Sequence, residues 1–157
     1  PVTDSEFRGK WMLVYFGFTN CPDICPEEMR KMTRALRLLE KKDKALAHEI
    51  VPIFITCDPN RDSIQAVKMY LKDGFHERFV GLTGTPEQIK RACQRYRVYY
   101  SAPDYAEGKE DYLVDHSIFY YLMDPYGHFK EYFGKGVPVE DVAERLEQIM
   151  MEYQEQE

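Results

Sequence analysis

The chain has 157 residues, 44% of them hydrophobic and 31% charged, which is the composition of one globular domain with a sizeable core. An aromatic content of 14% argues against disorder, and a formal net charge of −6 argues against non-specific binding to nucleic acid or anionic membranes. Four cysteines are too few for a disulfide scaffold, and no apolar run approaches the roughly 20 residues that span a bilayer.

Strands and helices alternate in the first half of the predicted structure. The apolar run from Trp11 to Phe18 predicts a buried strand, and the stretch from Glu27 to about Lys44 repeats apolar residues with a helical period. The β-branched run from Val51 to Thr56 predicts a second buried strand. A turn then leads into a helix from about Ser63 to Lys72.

A third strand and helix follow. Phe79 to Thr83 predicts a short strand, and Thr85-Pro86-Glu87-Gln88 has the pattern of a capping box that opens a helix to about Tyr96. Val98 to Ser101 is predicted to be extended, and Pro103 to Asp111 to be an acidic, turn-rich loop.

The chain is predicted to close with a hairpin and a helix. Ile118 to Met123 and Phe129 to Phe133 predict the two hairpin strands, and Val139 to about Tyr153 is an amphipathic helix. Strands that alternate with helices imply parallel pairing in the middle of the sheet. We therefore predict an α/β fold of the thioredoxin-like type over residues 1–157, with a central mixed sheet flanked by helices, an added hairpin and the acidic loop.

The cysteine pair Cys21-Pro22-Asp23-Ile24-Cys25 falls between the first predicted strand and the first helix. The unpaired N–H groups and the positive end of a helix favour thiolates there. Cβ atoms four residues apart on a helix are roughly 5–6 Å apart, which suits two sulfurs on one ion, and a small backbone shift can close them into a disulfide. The pair predicts soft-metal binding, disulfide exchange or both, against the alternative of two buried structural cysteines. Cys57 and Cys93 are isolated and are predicted to be packing residues.

His116, in Leu113-Val114-Asp115-His116-Ser117, is the best candidate for a third metal ligand. Its neighbour Asp115 matters because carboxylates commonly support metal-binding histidines. The other histidines, His48, His76 and His128, are predicted to be ordinary surface or core residues. Two thiolates and one imidazole favour copper, Cu(I) or Cu(II), because structural zinc normally takes four ligands. Thiol redox chemistry without a metal remains the alternative.

The acidic loop borders His116. Its acidic residues either keep the loop soluble or form a docking surface for a basic partner. They are Asp104, Glu107, Glu110 and Asp111.

Two separated motifs carry a family resemblance. One is Tyr15-Phe16-Gly17-Phe18-Thr19-Asn20-Cys21-Pro22-Asp23-Ile24-Cys25-Pro26-Glu27-Glu28, and the other is Asp111-Tyr112-Leu113-Val114-Asp115-His116-Ser117-Ile118. With these motifs the chain resembles the Sco proteins, the copper chaperones for cytochrome c oxidase assembly. The resemblance covers nearly the whole chain, and the stretch from Tyr96 to Ser101 is closer to the mitochondrial members than to the bacterial ones.

The resemblance implies a thioredoxin-like fold and copper held by Cys21, Cys25 and His116. It implies that copper passes from an upstream donor protein to the binuclear site of oxidase subunit II, or that the redox-active thiols Cys21 and Cys25 reduce that site's cysteines. It also implies a mitochondrial inner-membrane anchor with this domain facing the intermembrane space. We expect the anchor and the family's first strand to precede the present sequence.

Two related classes of thiol protein fit less well. Thioredoxins use two cysteines separated by two residues, whereas three residues separate Cys21 from Cys25. A peroxiredoxin would place a threonine three residues before its cysteine, and Thr19-Asn20-Cys21 lacks that spacing. A purely structural interaction domain is the third alternative.

Overall fold

A computed structural model describes most of the chain. The described residues are 4–17, 24–56, 63–72, 75–95, 100–101, 115–116, 119–134 and 136–155. The strands are β1 (Trp11–Gly17), β2 (Ile50–Thr56), β3 (Val80–Leu82), β4 (Tyr100–Ser101), β5 (Asp115–His116), β6 (Phe119–Met123) and β7 (Phe129–Gly134). The helices are α1 (Ile24–Lys42), α2 (Lys44–Ala47), α3 (Ile64–Leu71), α4 (Pro86–Arg95) and α5 (Val139–Glu155), after a 3₁₀ turn at Asp4–Phe7.

The main sheet is mixed, as predicted. Its five strands lie in the order β3-β2-β1-β6-β7. Strand β1 pairs in parallel with β2, from Trp11 opposite Ile50 to Gly17 opposite Thr56, and β2 pairs in parallel with β3. Strand β6 runs antiparallel to β1, with Tyr120 opposite Tyr15, and β7 completes the predicted hairpin. The carboxyl ends of β1 and β2 therefore lie at the edge of the sheet where β6 begins.

The core is built on β1 and α1. All seven residues of β1 are buried because the strand is central and both of its faces are covered. Helices α1 and α5 pack against each other. Both contribute the apolar faces that the helical period predicted. In α1 these residues are Met29, Met32, Leu36 and Leu39, and in α5 they are Val142, Leu146, Ile149 and Met150.

Polar side chains cap the N-termini of α2, α3 and α4. The Thr85 N–H donates to Oε1 of Gln88 at 2.9 Å, and the Gln88 N–H donates to Oγ1 of Thr85 at 3.2 Å, so the capping box is confirmed. Ser63 caps α3 by accepting from the Ala66 N–H at 3.1 Å. The predicted first helix, which was expected to reach Lys44, is divided instead: Asp43 has extended backbone and caps the separate helix α2.

One pairing was not predicted. The two-residue strand β5 pairs antiparallel with β4, with His116 opposite Tyr100 and Asp115 opposite Ser101. Neither segment has the length or the alternation that would predict it from sequence. Among the helices of the described ranges, none has both the length and the apolar character needed to cross a membrane.

Candidate functional site

Cys25 lies at the start of α1. Strand β1 ends at Gly17, and α1 begins at Ile24, so Cys25 is the second residue of a 19-residue helix. This is the strand-to-helix junction at which the sequence predicted the cysteine pair, and the positive end of the helix favours a thiolate there. Cys25 is described through its backbone, and Cys21 lies outside the described residues.

His116 lies near the same end of the sheet, on the chain segment that leads into β6. It ends β5, and only two residues separate it from Phe119, the first residue of β6. Three residues of extended chain span at most about 11 Å, so the His116 backbone lies within that distance of Phe119. Because β6 begins beside the carboxyl end of β1, the topology brings the segments of Cys25 and His116 to one end of the sheet.

A buried polar contact joins these two segments. The Tyr120 hydroxyl lies 2.6 Å from Oε2 of Glu28 and also contacts the Glu28 carbonyl oxygen. Tyr120 is 1% exposed and Glu28 is 5% exposed. Glu28 follows Cys25 by three residues, and Tyr120 follows His116 by four. The N-terminal part of α1 is therefore held directly against the start of β6.

Lys31 extends this contact to the hairpin. Its Nζ lies 3.9 Å from Oε2 of Glu28 and donates to the carbonyl oxygen of Gly134, the last residue of β7, at 3.3 Å. The ammonium group compensates part of the charge of the buried Glu28 carboxylate. Three elements, α1, β6 and β7, are thus connected at this end of the sheet.

Neither Glu28 nor Tyr120 was predicted from the sequence to have a role at this site. A signal for Glu28 was present, since residue 28 falls on the same helical face as Met32 and Leu39, where an apolar residue is expected. A charged residue in an apolar stripe indicates a buried partner. Nothing local identified that partner, because Tyr120 is 92 residues away in the chain.

His76 has the ordinary role that the sequence predicted. It is 1% exposed; one ring nitrogen, Nε2, contacts the Glu40 carboxylate, and the other, Nδ1, accepts from the Arg78 N–H at 3.2 Å. The neighbouring carboxyl group, Glu77, has a lowered pKa, chiefly because of a backbone hydrogen bond and then because of His76 and Arg37. His48 and His128 lie at exposed positions.

The side chains of the predicted metal ligands Cys21, Cys25 and His116 lie outside those that the structure describes. Within the part of the chain that the structure describes, no three His, Cys, Asp or Glu side chains gather in a way that could hold a metal ion. Cys25, Cys93 and His116 are described through their backbones alone, while Cys57 and the acidic loop residues Asp104, Glu107, Glu110 and Asp111 lie outside the described residues. Two soft thiolates and an imidazole in this place would suit copper.

Comparison with known proteins gives a consistent result. A family model described as SCO1/SenC matches residues 1–151. Protein sco1 of Schizosaccharomyces pombe is 50% identical over 146 residues, which are 92% of this chain and 54% of that protein. The Saccharomyces cerevisiae protein named SCO2, mitochondrial, is 43% identical over 153 residues, 98% of this chain and 50% of that protein. The chain spans about half the length of these relatives.

Solved structures confirm the predicted thioredoxin-like α/β fold. The crystal structure of yeast Sco1 matches with a TM-score of 0.89 and 44% identity, over 97% of this chain and 90% of that one. The crystal structure of Arabidopsis thaliana ScoI with copper bound matches with a TM-score of 0.83 and 42% identity, over 98% of this chain and 90% of that one.

Proposed function

This chain belongs to the SCO1/SenC family, and from that premise we propose that it is a copper metallochaperone for cytochrome c oxidase assembly. The observation that carries the proposal is the junction of two segments. Cys25 opens α1, His116 directly precedes β6, and the buried Glu28–Tyr120 contact holds α1 against β6. This arrangement supports a site that takes thiolates and an imidazole from distant parts of the sequence.

Copper is the cargo, and its ligands are Cys21, Cys25 and His116. Thiolate sulfur selects Cu(I), which accepts three ligands, and imidazole suits both Cu(I) and Cu(II). Support comes from the Arabidopsis relative, a structure with copper bound at 42% identity to this chain. The start of α1 adds a physical reason, because the helix dipole favours the deprotonated thiols that metal binding requires.

The same two thiols can act as a reductant. In that reaction the Cys21 and Cys25 thiols give up two electrons and two protons and form a disulfide, while a disulfide of the acceptor becomes two thiols. Oxidation and metal binding compete for the same sulfurs, so the disulfide form should exclude copper. We propose that the acceptor is the binuclear copper site of oxidase subunit II, that an upstream donor protein supplies the copper, and that the domain works on the intermembrane-space side of the mitochondrial inner membrane.

The acidic loop before His116 is proposed as the docking surface for that acceptor. Exposed charges steer encounter over about 8–10 Å at physiological salt. Neutralising all four acidic residues, Asp104, Glu107, Glu110 and Asp111, should slow copper transfer and remove most of its salt dependence, with copper affinity nearly unchanged. Transfer rates equal to wild type at both low and high salt would mean that the loop only provides solubility.

The test of the copper site removes thiols in matched pairs. Wild type should bind one copper ion per domain, and Cys21→Ser/Cys25→Ser should bind none, because both thiolates are ligands. The control, Cys57→Ser/Cys93→Ser, removes the same number of thiols and should keep full stoichiometry and the wild-type absorption spectrum. Full copper binding by the Cys21/Cys25 variant would refute the site. Disulfide exchange by a wild-type protein that binds no copper would instead assign it as a thiol oxidoreductase.

A further inference from the structure

Glu28 is a carboxyl group in an unfavourable place. It lies on the buried face of α1 and is 5% exposed. Burying a carboxylate costs free energy unless it is paired and hydrogen-bonded, and a well-packed apolar residue there would usually serve stability as well or better. A contribution to stability therefore does not by itself account for a glutamate at this position.

Two side chains, those of Tyr120 and Lys31, interact with the buried carboxyl group of Glu28. The Tyr120 hydroxyl lies 2.6 Å from Oε2, and Lys31 Nζ lies 3.9 Å from the same oxygen. Tyr120 is itself fixed, because its ring packs against Tyr15 with centroids 5.3 Å apart and it pairs with Tyr15 across β1 and β6. The contact thus joins a rigid strand to the N-terminal part of α1.

The two residues of this contact lie close in sequence to proposed copper ligands. Glu28 lies three residues after Cys25, an axial rise of about 4.5 Å along the helix. Tyr120 lies four residues after His116. Each partner thus lies within a few residues of one proposed ligand, Cys25 or His116. These two ligands are on segments that are distant in the sequence.

We propose that Glu28 and Tyr120 are a positioning pair that sets the separation between the cysteine segment and the histidine segment. The inference rests on the proposed copper site. A positioning role can be told apart from a general structural role. Copper needs ligands from both segments, whereas the Cys21–Cys25 disulfide needs only the cysteine segment. Loosening the pair should weaken copper binding and leave disulfide formation unchanged.

The variant Tyr120→Phe removes the hydroxyl and keeps the ring. We expect it to bind one copper ion with about tenfold lower affinity, the lower end of the effect of residues that support metal ligands, and with an altered Cu(II) absorption spectrum. Its thiol–disulfide equilibrium with glutathione should match wild type. If Tyr120→Phe does not fold, Glu28→Leu removes the carboxyl partner of the hydroxyl but keeps its contact with the carbonyl oxygen of residue 28, so it should show the same changes to a smaller degree.

Thr33→Val is the matched control on the same helix. The Thr33 hydroxyl is buried, donates to the Met29 carbonyl oxygen at 2.9 Å and accepts from the His76 N–H at 3.1 Å. This variant also loses a buried hydroxyl, so its midpoint of urea unfolding should fall by an amount comparable to that of Tyr120→Phe. Its copper affinity and spectrum should remain those of wild type, because the segment that Thr33 joins to α1, around His76, carries no proposed ligand.

Three outcomes would overturn the inference. Wild-type copper affinity and spectrum in Tyr120→Phe would remove the pair from the site, with the proposed function intact. Equal losses of copper affinity in Tyr120→Phe and Thr33→Val would reduce the effect to general stability. Absence of copper binding by the wild-type protein would overturn the proposed function together with this inference.

Discussion

Two buried polar contacts, the two fastenings of helix α1, hold this helix against different segments of the fold. Near its N-terminus, Glu28 accepts a hydrogen bond from the Tyr120 hydroxyl of β6. In its middle, the Thr33 hydroxyl accepts from the His76 backbone, and the His76 ring meets Glu40. Both contacts are buried polar contacts between elements distant in sequence. The first joins the two segments that carry the proposed ligands, and the second joins α1 to the segment before β3, so the role of each follows from what it connects.

The middle fastening is part of a larger structural group. The Arg78 guanidinium donates to the carbonyl oxygens of Ala47 and Ile50, each at 2.8 Å, and to that of His48 at 3.3 Å. These carbonyls lie where α2 turns into β2. The group thus secures the start of β2 and the middle of α1 and lies outside the proposed copper site.

The largest stability effect should come from Arg78→Ala. Removing the guanidinium leaves three carbonyl oxygens without that donor, and one hydrogen bond from a charged group is worth about 1.5–3 kcal/mol. The three together should contribute less than their sum, because Arg78 is only half-buried and water can replace the lost donor. We expect a loss of about 2–3 kcal/mol in the free energy of unfolding, measured in urea, with unchanged copper affinity. A loss of copper affinity in this variant would mean that the two fastenings of α1 are coupled.

The sequence predicted the elements better than the contacts between them. The buried strands, the start of a helix near Ser63 and the capping box at Thr85 depend on local patterns, and the structure has them at the predicted places. The cysteine and histidine motifs pointed to one edge of the sheet through the order of the elements. The Glu28–Tyr120 contact could not be predicted, because pairing across 92 residues depends on the register of β1 with β6. The break between α1 and α2 at Asp43 was not predicted. The helical period of apolar residues continues past this position, and the single cap residue Asp43 causes the break.

A smaller effect is expected from Thr33→Val. The variant leaves the His76 N–H without its hydroxyl acceptor, and a typical buried hydrogen bond contributes about 1 kcal/mol. The free energy of unfolding should fall by about that amount. Comparison of its unfolding curve with that of Tyr120→Phe tests whether the two fastenings of α1 contribute similarly to stability, and a loss several times larger in one of them would show that they do not.

The smallest effect should come from the exposed ion pair beside the middle fastening. Arg37 lies 3.1 Å from Glu77, with half or more of each side chain exposed, so Arg37→Gln should leave the unfolding midpoint at neutral pH nearly unchanged. Because the pKa of Glu77 is lowered in the folded protein, its contribution is present above the ordinary value of 4.5 and is lost as the pH falls through the folded pKa. Arg37→Gln should make the loss of stability below pH 4.5 slightly shallower, and a steeper acid dependence would contradict this assignment.

Copper binding by His116→Ala, measured beside His128→Ala, tests the proposed copper site most directly. We expect His116→Ala to bind copper much more weakly and with a changed Cu(II) spectrum, because an imidazole from the segment before β6 completes the proposed thiolate site. His128, 77% exposed in the hairpin turn, should be replaceable with no change in either quantity. Wild-type stoichiometry, affinity and spectrum in His116→Ala would contradict the claim that the cysteine helix and the histidine segment hold copper together.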